Sequence, residues 1–228
     1  MVEPTIFGGI MKSKTCFRWS SVVAICLLLV TAAPAQEFGE VAEEFRRNID
    51  ALHGYAWQSK VEITVDGKLT RTEIYQIRVD ADGKVNRELT GADGKTTKEQ
   101  GIAERTLGSL RSLINGYTHM KPDDFREVFG ENPRTVSPGE GDEPTRILAS
   151  DVVASGDTMQ IWVDNTTYRV QKLELETQLQ GEPARLVVDF ERIGTGPSYP
   201  VRSTLWTKHK KKSMTIVTEN TDPTQSGQ

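Results

Sequence analysis

Few residues in this chain have a type and spacing that could do chemistry. Gly94-Lys95-Thr96 has the ending of a phosphate-cradling loop, whose backbone N–H groups and lysine hold phosphates. The first glycine of that motif would fall at position 89, which is Leu89, so a turn explains the stretch better. Asp80 and Asp82 before Gly83 look like the opening of a calcium loop. The third oxygen ligand and the closing glutamate are out of register, and a tight turn accounts for both aspartates. His53, His119 and His209 are the only histidines. They are not paired at metal spacing and have no Ser or Cys nucleophile turn beside them. Asp123-Asp124 suits the first turn of a helix, where carboxylates meet the positive end of the dipole. Asn165-Thr166-Thr167 spells a glycosylation acceptor. Lys210, Lys211 and Lys212 follow His209 as the densest basic run. They read as a solvated hairpin tip or as a contact with anionic head groups or an acidic partner. No convergent polar pocket emerges, so no catalytic residue, metal site or cofactor is expected, and the chain reads as a non-enzyme.

What the sequence specifies well is the set of elements. Met159, Ile161 and Val163 alternate with polar residues, as do Leu173, Leu175, Thr177 and Leu179, and then Leu186, Val188 and Phe190. A period of two puts every second side chain on one face. One face is therefore apolar and the other charged, the pattern of an antiparallel sheet wetted on one side. Upstream, Tyr55 to Val65, Leu69 to Val79 and Val85 to Leu89 form a meander around Asp66-Gly67 and Asp80 to Gly83. Ahead of it, Phe38, Val41, Phe45, Ile49 and Leu52 recur at helical spacing and predict an amphipathic helix ending near Gly54. Lys98 to Tyr117 predicts a second helix and the residues after Pro122 a short third one. Asn132 to Pro144 reads as a loop, Arg146 to Val153 as a strand, and Tyr199 to Asn220 as a last hairpin. The fold class expected is α+β: one large antiparallel sheet with helices gathered on its apolar side.

Residues 1–35 read as a signal peptide. Lys12, Lys14 and Arg18 form a basic leader, Val22 to Val30 is an apolar core, and Ala33-Pro34-Ala35 ends in small residues. Cleavage is expected after Ala35, and Met11 serves as well as Met1 for a start. Cys16 and Cys26 both lie in this segment, so the mature chain carries no cysteine chemistry. Removing three basic residues and one acidic residue takes the net charge from −4 to −6, against nucleic acid as a partner. About 190 residues remain, enough for one domain with a real core. That domain is expected over residues 36–220, with a disordered polar tail over 221–228. The mature protein is expected to be a monomer, periplasmic or secreted, and not to span a membrane.

The remaining candidate is the apolar face itself. Trp57, Val61, Ile63, Tyr75, Ile77, Leu173, Leu175, Leu186, Val188, Phe190, Val201 and Leu205 all belong to one face in this reading. Two outcomes stay open: a plain core sealed by helices, or a cavity that receives an acyl chain. Burial of a chain yields about 0.8 kcal/mol per methylene, so affinity needs no special chemistry.

A family resemblance lies in the layout. The Met159-Gln-Ile-Trp-Val-Asp164 strand runs into Tyr168-Arg-Val-Gln-Lys-Leu173, then Leu186 to Phe190 and Tyr199-Pro-Val-Arg202. With the leading helix, the meander and the helical insert, this resembles the LolA-like family of periplasmic lipoprotein carriers and outer-membrane lipoprotein-sorting proteins. The resemblance implies a curved half-barrel with helices over its apolar concave face, where acyl chains are carried or sensed. It implies a lipid or acylated protein as ligand, or an envelope protein as partner, and assigns no single binding residue.

Overall fold

A computed structural model describes residues 33–94, 134–151, 155–179, 181–209 and 211–225. The chain divides into two units, Met1–Gln36 and Glu37–Gln228, and every described strand belongs to the second. Helix α1 spans Ala33–Ala51. The strands are β1 Tyr55–Val65, β2 Lys68–Val79, β3 Val85–Asp93, β4 Arg134–Ser137, β5 Thr145–Ser150, β6 Thr158–Val163, β7 Val170–Leu179, β8 Glu182–Arg192, β9 Ser198–His209 and β10 Lys212–Gln225. All ten join one sheet in the order β3-β2-β1-β10-β9-β8-β7-β6-β5-β4, and every neighbouring pair is antiparallel. The result is an open, curved sheet of half-barrel type. The first and last strands of the domain lie side by side in it, and residues 95–133 connect its two edge strands.

The alternation of side chains becomes a set of rows across the sheet. Ala149, Met159, Leu175, Leu186, Leu205, Ile216 and Ile63 stand opposite one another on seven successive strands. Each of them is buried. On the other face Arg146, Trp162, Lys172, Asp189, Arg202, Glu219 and Lys60 are matched in the same way. Much of this outer row alternates in sign, and Lys172 lies 4.7 Å from the Trp162 ring centroid. Opposite charges facing each other across strands stabilise a wetted face modestly, by about 0.2–1 kcal/mol per pair. Burial of the apolar row decides the register, because a slip of one residue would exchange the two faces.

Two turns show how the chain is steered. Asp66 and Gly67 have φ of 50° and 76°, the left-handed pair that a two-residue hairpin requires. The Asp66 carboxylate also accepts the Ser213 N–H at 2.9 Å, which fastens this turn to the start of β10. Between β6 and β7, Asp164 accepts hydrogen bonds from the Thr166 and Thr167 N–H groups and the Thr167 hydroxyl. The Thr167 N–H in particular holds the Asp164 carboxyl below the usual carboxylate range, against a smaller opposing effect of burial. A lowered folded-state pKa means that this contribution is full above the unfolded value of about 3.9 and is lost as pH falls through the folded value. Asp164→Ala is therefore expected to cost about 1 kcal/mol at pH 7, the usual net worth of an intramolecular hydrogen bond. The gap should shrink near pH 3, as urea titration at the two pH values would show.

Several expectations change. Residues 134–137, expected in a loop, form the edge strand β4 paired with β5. Residues 221–225, expected as disordered tail, continue β10 along β1, with Gln58 opposite Thr221 and Tyr55 opposite Gln225. Polar side chains do not prevent pairing, since the backbone of β1 offers the same donors and acceptors along its whole length. Pro223, which has no N–H, is accommodated by the register shift between Ala56 and Gln58, beside Asp222 at a φ of 53°. The helices expected over 98–117 and after Pro122 lie outside the described residues, as do His119, Asp123, Asp124, and Lys95 and Thr96 of the loop-like motif. So do residues 1–32 of the expected signal segment.

Candidate functional site

The apolar face is organised in two clusters. The larger contains Val61, Ile63, Leu175, Leu186, Val188 and Leu205, with Tyr75, Leu173 and Phe190 packed against it. Ile63 and Leu175 are 0% exposed. The smaller gathers Trp57, Ile77, Val79 and Tyr199, with Tyr75 and Val201 at its border. The Trp57 and Tyr199 rings lie 6.0 Å apart and tilted. Burial pushes the Tyr199 hydroxyl above its ordinary value, with smaller help from Glu191 and Asp222. The twelve residues singled out from sequence thus fall into these two clusters, with Tyr75 between them. Met214 and Ile216 of β10, and Ile147 and Ala149 of β5, also belong to the larger one. Their alternation was available in the sequence, but the strands are short or turn polar along their length.

Helix α1 is fastened over part of this face. Val41 and Ala42 enter the larger cluster and Phe45 packs beside it. Asn48 donates to the Ser198 carbonyl at 2.8 Å and accepts the Ser198 N–H at 2.6 Å. Glu44 pairs with Arg169 at 2.9 Å. The helix is therefore held to the β7–β9 end by directional polar contacts as well as by burial.

One group on this face escaped the sequence reading. Arg71, Glu73, Tyr75, Ile77 and Val79 share a side of β2, and the first two oppose Ile63 and Val61 of the apolar rows. Glu73 is only 3% exposed. Its carboxylate accepts the Arg71 Nε–H at 2.7 Å and the Tyr75 hydroxyl at 2.5 Å. The Arg87 guanidinium, on β3, lies over the Tyr75 ring with its carbon 3.4 Å from the centroid. Charged residues in phase with a buried face were the signal that could have revealed this cluster: the period of two that selected Tyr75 and Ile77 also selects Arg71 and Glu73.

The remaining candidates sort into turns and surface. Asp80 accepts a hydrogen bond from the Asn86 side chain at 2.7 Å within its turn. The Asn165 amide donates to the Glu143 carbonyl and accepts from Thr145, tying two loops together. Among the described residues no cluster of His, Cys, Asp or Glu has the makings of a metal site, and no helix is long and apolar enough to cross a membrane. At the basic hairpin tip Lys211 and Lys212 are exposed, while Lys210 lies outside the described residues. Next to that tip, a groove of about 620 Å³ runs along the ends of two hairpins, lined by Trp206, Arg185, Glu176 and Lys208 among others. Trp206 is 41% exposed there, with the Arg185 guanidinium 5.5 Å from its ring.

No family model and no curated protein matches this sequence. Among solved structures, the chain is similar to a LolA superfamily protein from Nitrosomonas europaea at 12% identity, with 82% of this chain and 94% of that one covered and a TM-score of 0.43. A DUF1329 family protein from Desulfovibrio piger is similar at 10% identity, 84% and 93% coverage and a TM-score of 0.46. An outer membrane lipoprotein-sorting protein domain from Vibrio parahaemolyticus is similar at 10% identity, 83% and 93% coverage and a TM-score of 0.38.

Proposed function

We propose that this is a monomeric, non-enzymatic binding protein of the bacterial cell envelope, exported to the periplasm, whose apolar sheet face receives the acyl chain of a lipid or of an acylated protein. The observation that carries the reading is the unbroken apolar row from Ala149 to Ile63 across seven strands of an open sheet. At about 4.8 Å per strand, it extends roughly 29 Å, longer than an extended palmitoyl chain. A long chain laid on such a face would gain on the order of 10 kcal/mol before ordering costs. Because Ile63 and Leu175 are fully covered, uptake requires the cover to shift. The contacts of Asn48 with Ser198 and of Glu44 with Arg169 are the ones α1 would have to break.

Native mass spectrometry of the exported protein, purified gently from its host, tests this. A mass excess that extracts into organic solvent and fragments as lipid is the expected result. Val188→Asp should then abolish uptake of a fluorescent fatty acid; a folded variant that still takes it up would move the site elsewhere. The full burial of the row favours a second reading, a closed-core module that binds an envelope protein through the outer Trp206 groove and the Lys211–Lys212 tip. A clean apo mass with no fatty-acid uptake would select that reading.

A further inference from the structure

We infer that the ligand carries an uncharged hydrogen-bond donor, an amide N–H or a glycerol hydroxyl, which docks in a neutral polar patch formed by Ser59, Ser203, Thr218 and Asn220. The inference rests on the acyl-chain reading above and names its ligand class. Placement is the first argument. On β1 the side chains that face the core run Trp57, Ser59, Val61 and Ile63, so Ser59 divides the smaller apolar cluster from the larger. Asn220 stands directly opposite Ser59 on β10, Thr218 opposite Val61, and Ser203 of β9 opposite both Thr218 and Val188. Four small polar residues on three adjacent strands thus interrupt the apolar face. Thr218 and Ser203 lie one step of about 7 Å along their strands from Ile216 and Leu205 of the row. A chain whose tail follows the row toward Ala149 places its head beside the patch.

The second argument is an acceptor that the fold leaves unused. Asn220 is 8% exposed, and its Oδ1 has no hydrogen-bond donor among the described residues. The amide orientation is fixed, because its nitrogen donates to the Pro200 carbonyl at 2.5 Å and a flipped amide would set two oxygens together. The nearby Tyr199 hydroxyl donates to the main-chain carbonyl of Asn220, not to its side chain. A buried acceptor without a donor costs free energy that an apolar residue of similar size would not. Chemistry sets the donor that suits it. Oδ1 only accepts, so an ionised carboxylate or phosphate offers it nothing, whereas an amide N–H or a hydroxyl satisfies it. The Thr218 and Ser203 hydroxyls, half-buried on the same face, can donate to the carbonyl oxygen that an acyl amide or a glyceryl ester also carries. Acyl chains linked to an amine or to glycerol share this pairing of a donor with a carbonyl.

The test compares three ligands of one acyl length: N-methylpalmitamide, monopalmitoylglycerol and methyl palmitate, each displacing a neutral fluorescent acyl probe from the exported protein. The first and last differ only by N–H against O, and methyl palmitate has no donor. On a purely apolar face the ester should bind at least as tightly as the amide, because the amide loses more hydration. At least one donor ligand is instead expected to bind about tenfold or more tightly than the ester, the usual effect of leaving a buried acceptor unpaired. Preference for the amide identifies an N-acylated polypeptide as the source, and preference for the glyceride a lipid. Asn220→Leu should bring the donor ligands level with the ester or below it. Ser59→Ala and Thr218→Val keep the Pro200 contact and should each narrow the preference. A preference unchanged in these variants, or ester affinity equal to that of both donors in the unmodified protein, would overturn the head-group inference and leave the acyl-chain reading standing. Binding of none of the three would overturn both.

Discussion

Glu73→Ala is expected to cost about 3–5 kcal/mol, a loss out of proportion to one glutamate on a sheet of ten strands, because it breaks a buried ion pair. The Glu73 carboxylate is buried, and the Arg71 Nε–H and the Tyr75 hydroxyl both depend on it. Removing the carboxylate alone leaves Arg71 with its charge and without this partner, next to Ile63. Removing both charges should behave differently. Arg71→Met with Glu73→Leu continues the apolar rows and is expected to recover part of that loss, since apolar replacement of a buried pair is often neutral while the Tyr75 hydroxyl still loses its acceptor. Urea denaturation of Arg71→Met, Glu73→Leu and the double variant gives the coupling directly. A Glu73→Ala loss below about 1 kcal/mol would mean the pair is effectively solvated and worth no more than a surface ion pair.

The difference between what the sequence disclosed and what it hid comes from which interactions are local. Alternation is local, so Met159, Ile161, Val163, Leu175, Leu186 and Val188 could be assigned to a buried face before any contact was known. Turn chemistry is local too, and Asp66-Gly67 forms the hairpin its residues require. Strand order is not local. That β1 lies against β10, with Ile63 opposite Ile216, joins residues from the two ends of the domain, and no short-range pattern encodes it. The same pairing explains the tail: Thr221 to Gln225 have weak strand character, yet they complete a ladder with Tyr55 to Gln58. At the site, the apolar members were legible and the charged ones were overlooked. Arg71 and Glu73 carry the same phase as Ile77, but a charge on a strand is ordinarily assigned to the wet face. Only the pairing of Glu73 with Val61 and its near-complete burial place it on the other side.

Leu175→Ala is the second large effect, expected at about 3–4 kcal/mol from lost burial and the cavity left behind. Leu175 sits in the middle of the row, between Met159 and Leu186 on the neighbouring strands, and it is completely covered. The backbone ladders on both sides hold the sheet in register, so the neighbours cannot close the gap cheaply. For a domain of this size each kcal/mol shifts Tm by roughly 2–4 °C, so a fall near 10 °C is expected in a calorimetric scan. Leu148→Ala is the control. Leu148 lies on the adjoining part of the sheet but faces out and is exposed, so its loss should stay within about 0.5 kcal/mol. The pair also bears on function. If an acyl chain occupies this face, saturating the Leu175→Ala variant with palmitate should restore part of the lost Tm, because ligand binding to the folded state adds RT ln(1 + [L]/Kd) and the chain refills the gap. Equal upward shifts of the variant and the parent would place the chain away from Leu175. No shift in either would mean that the row is a sealed core, with the protein's work done on its outer face.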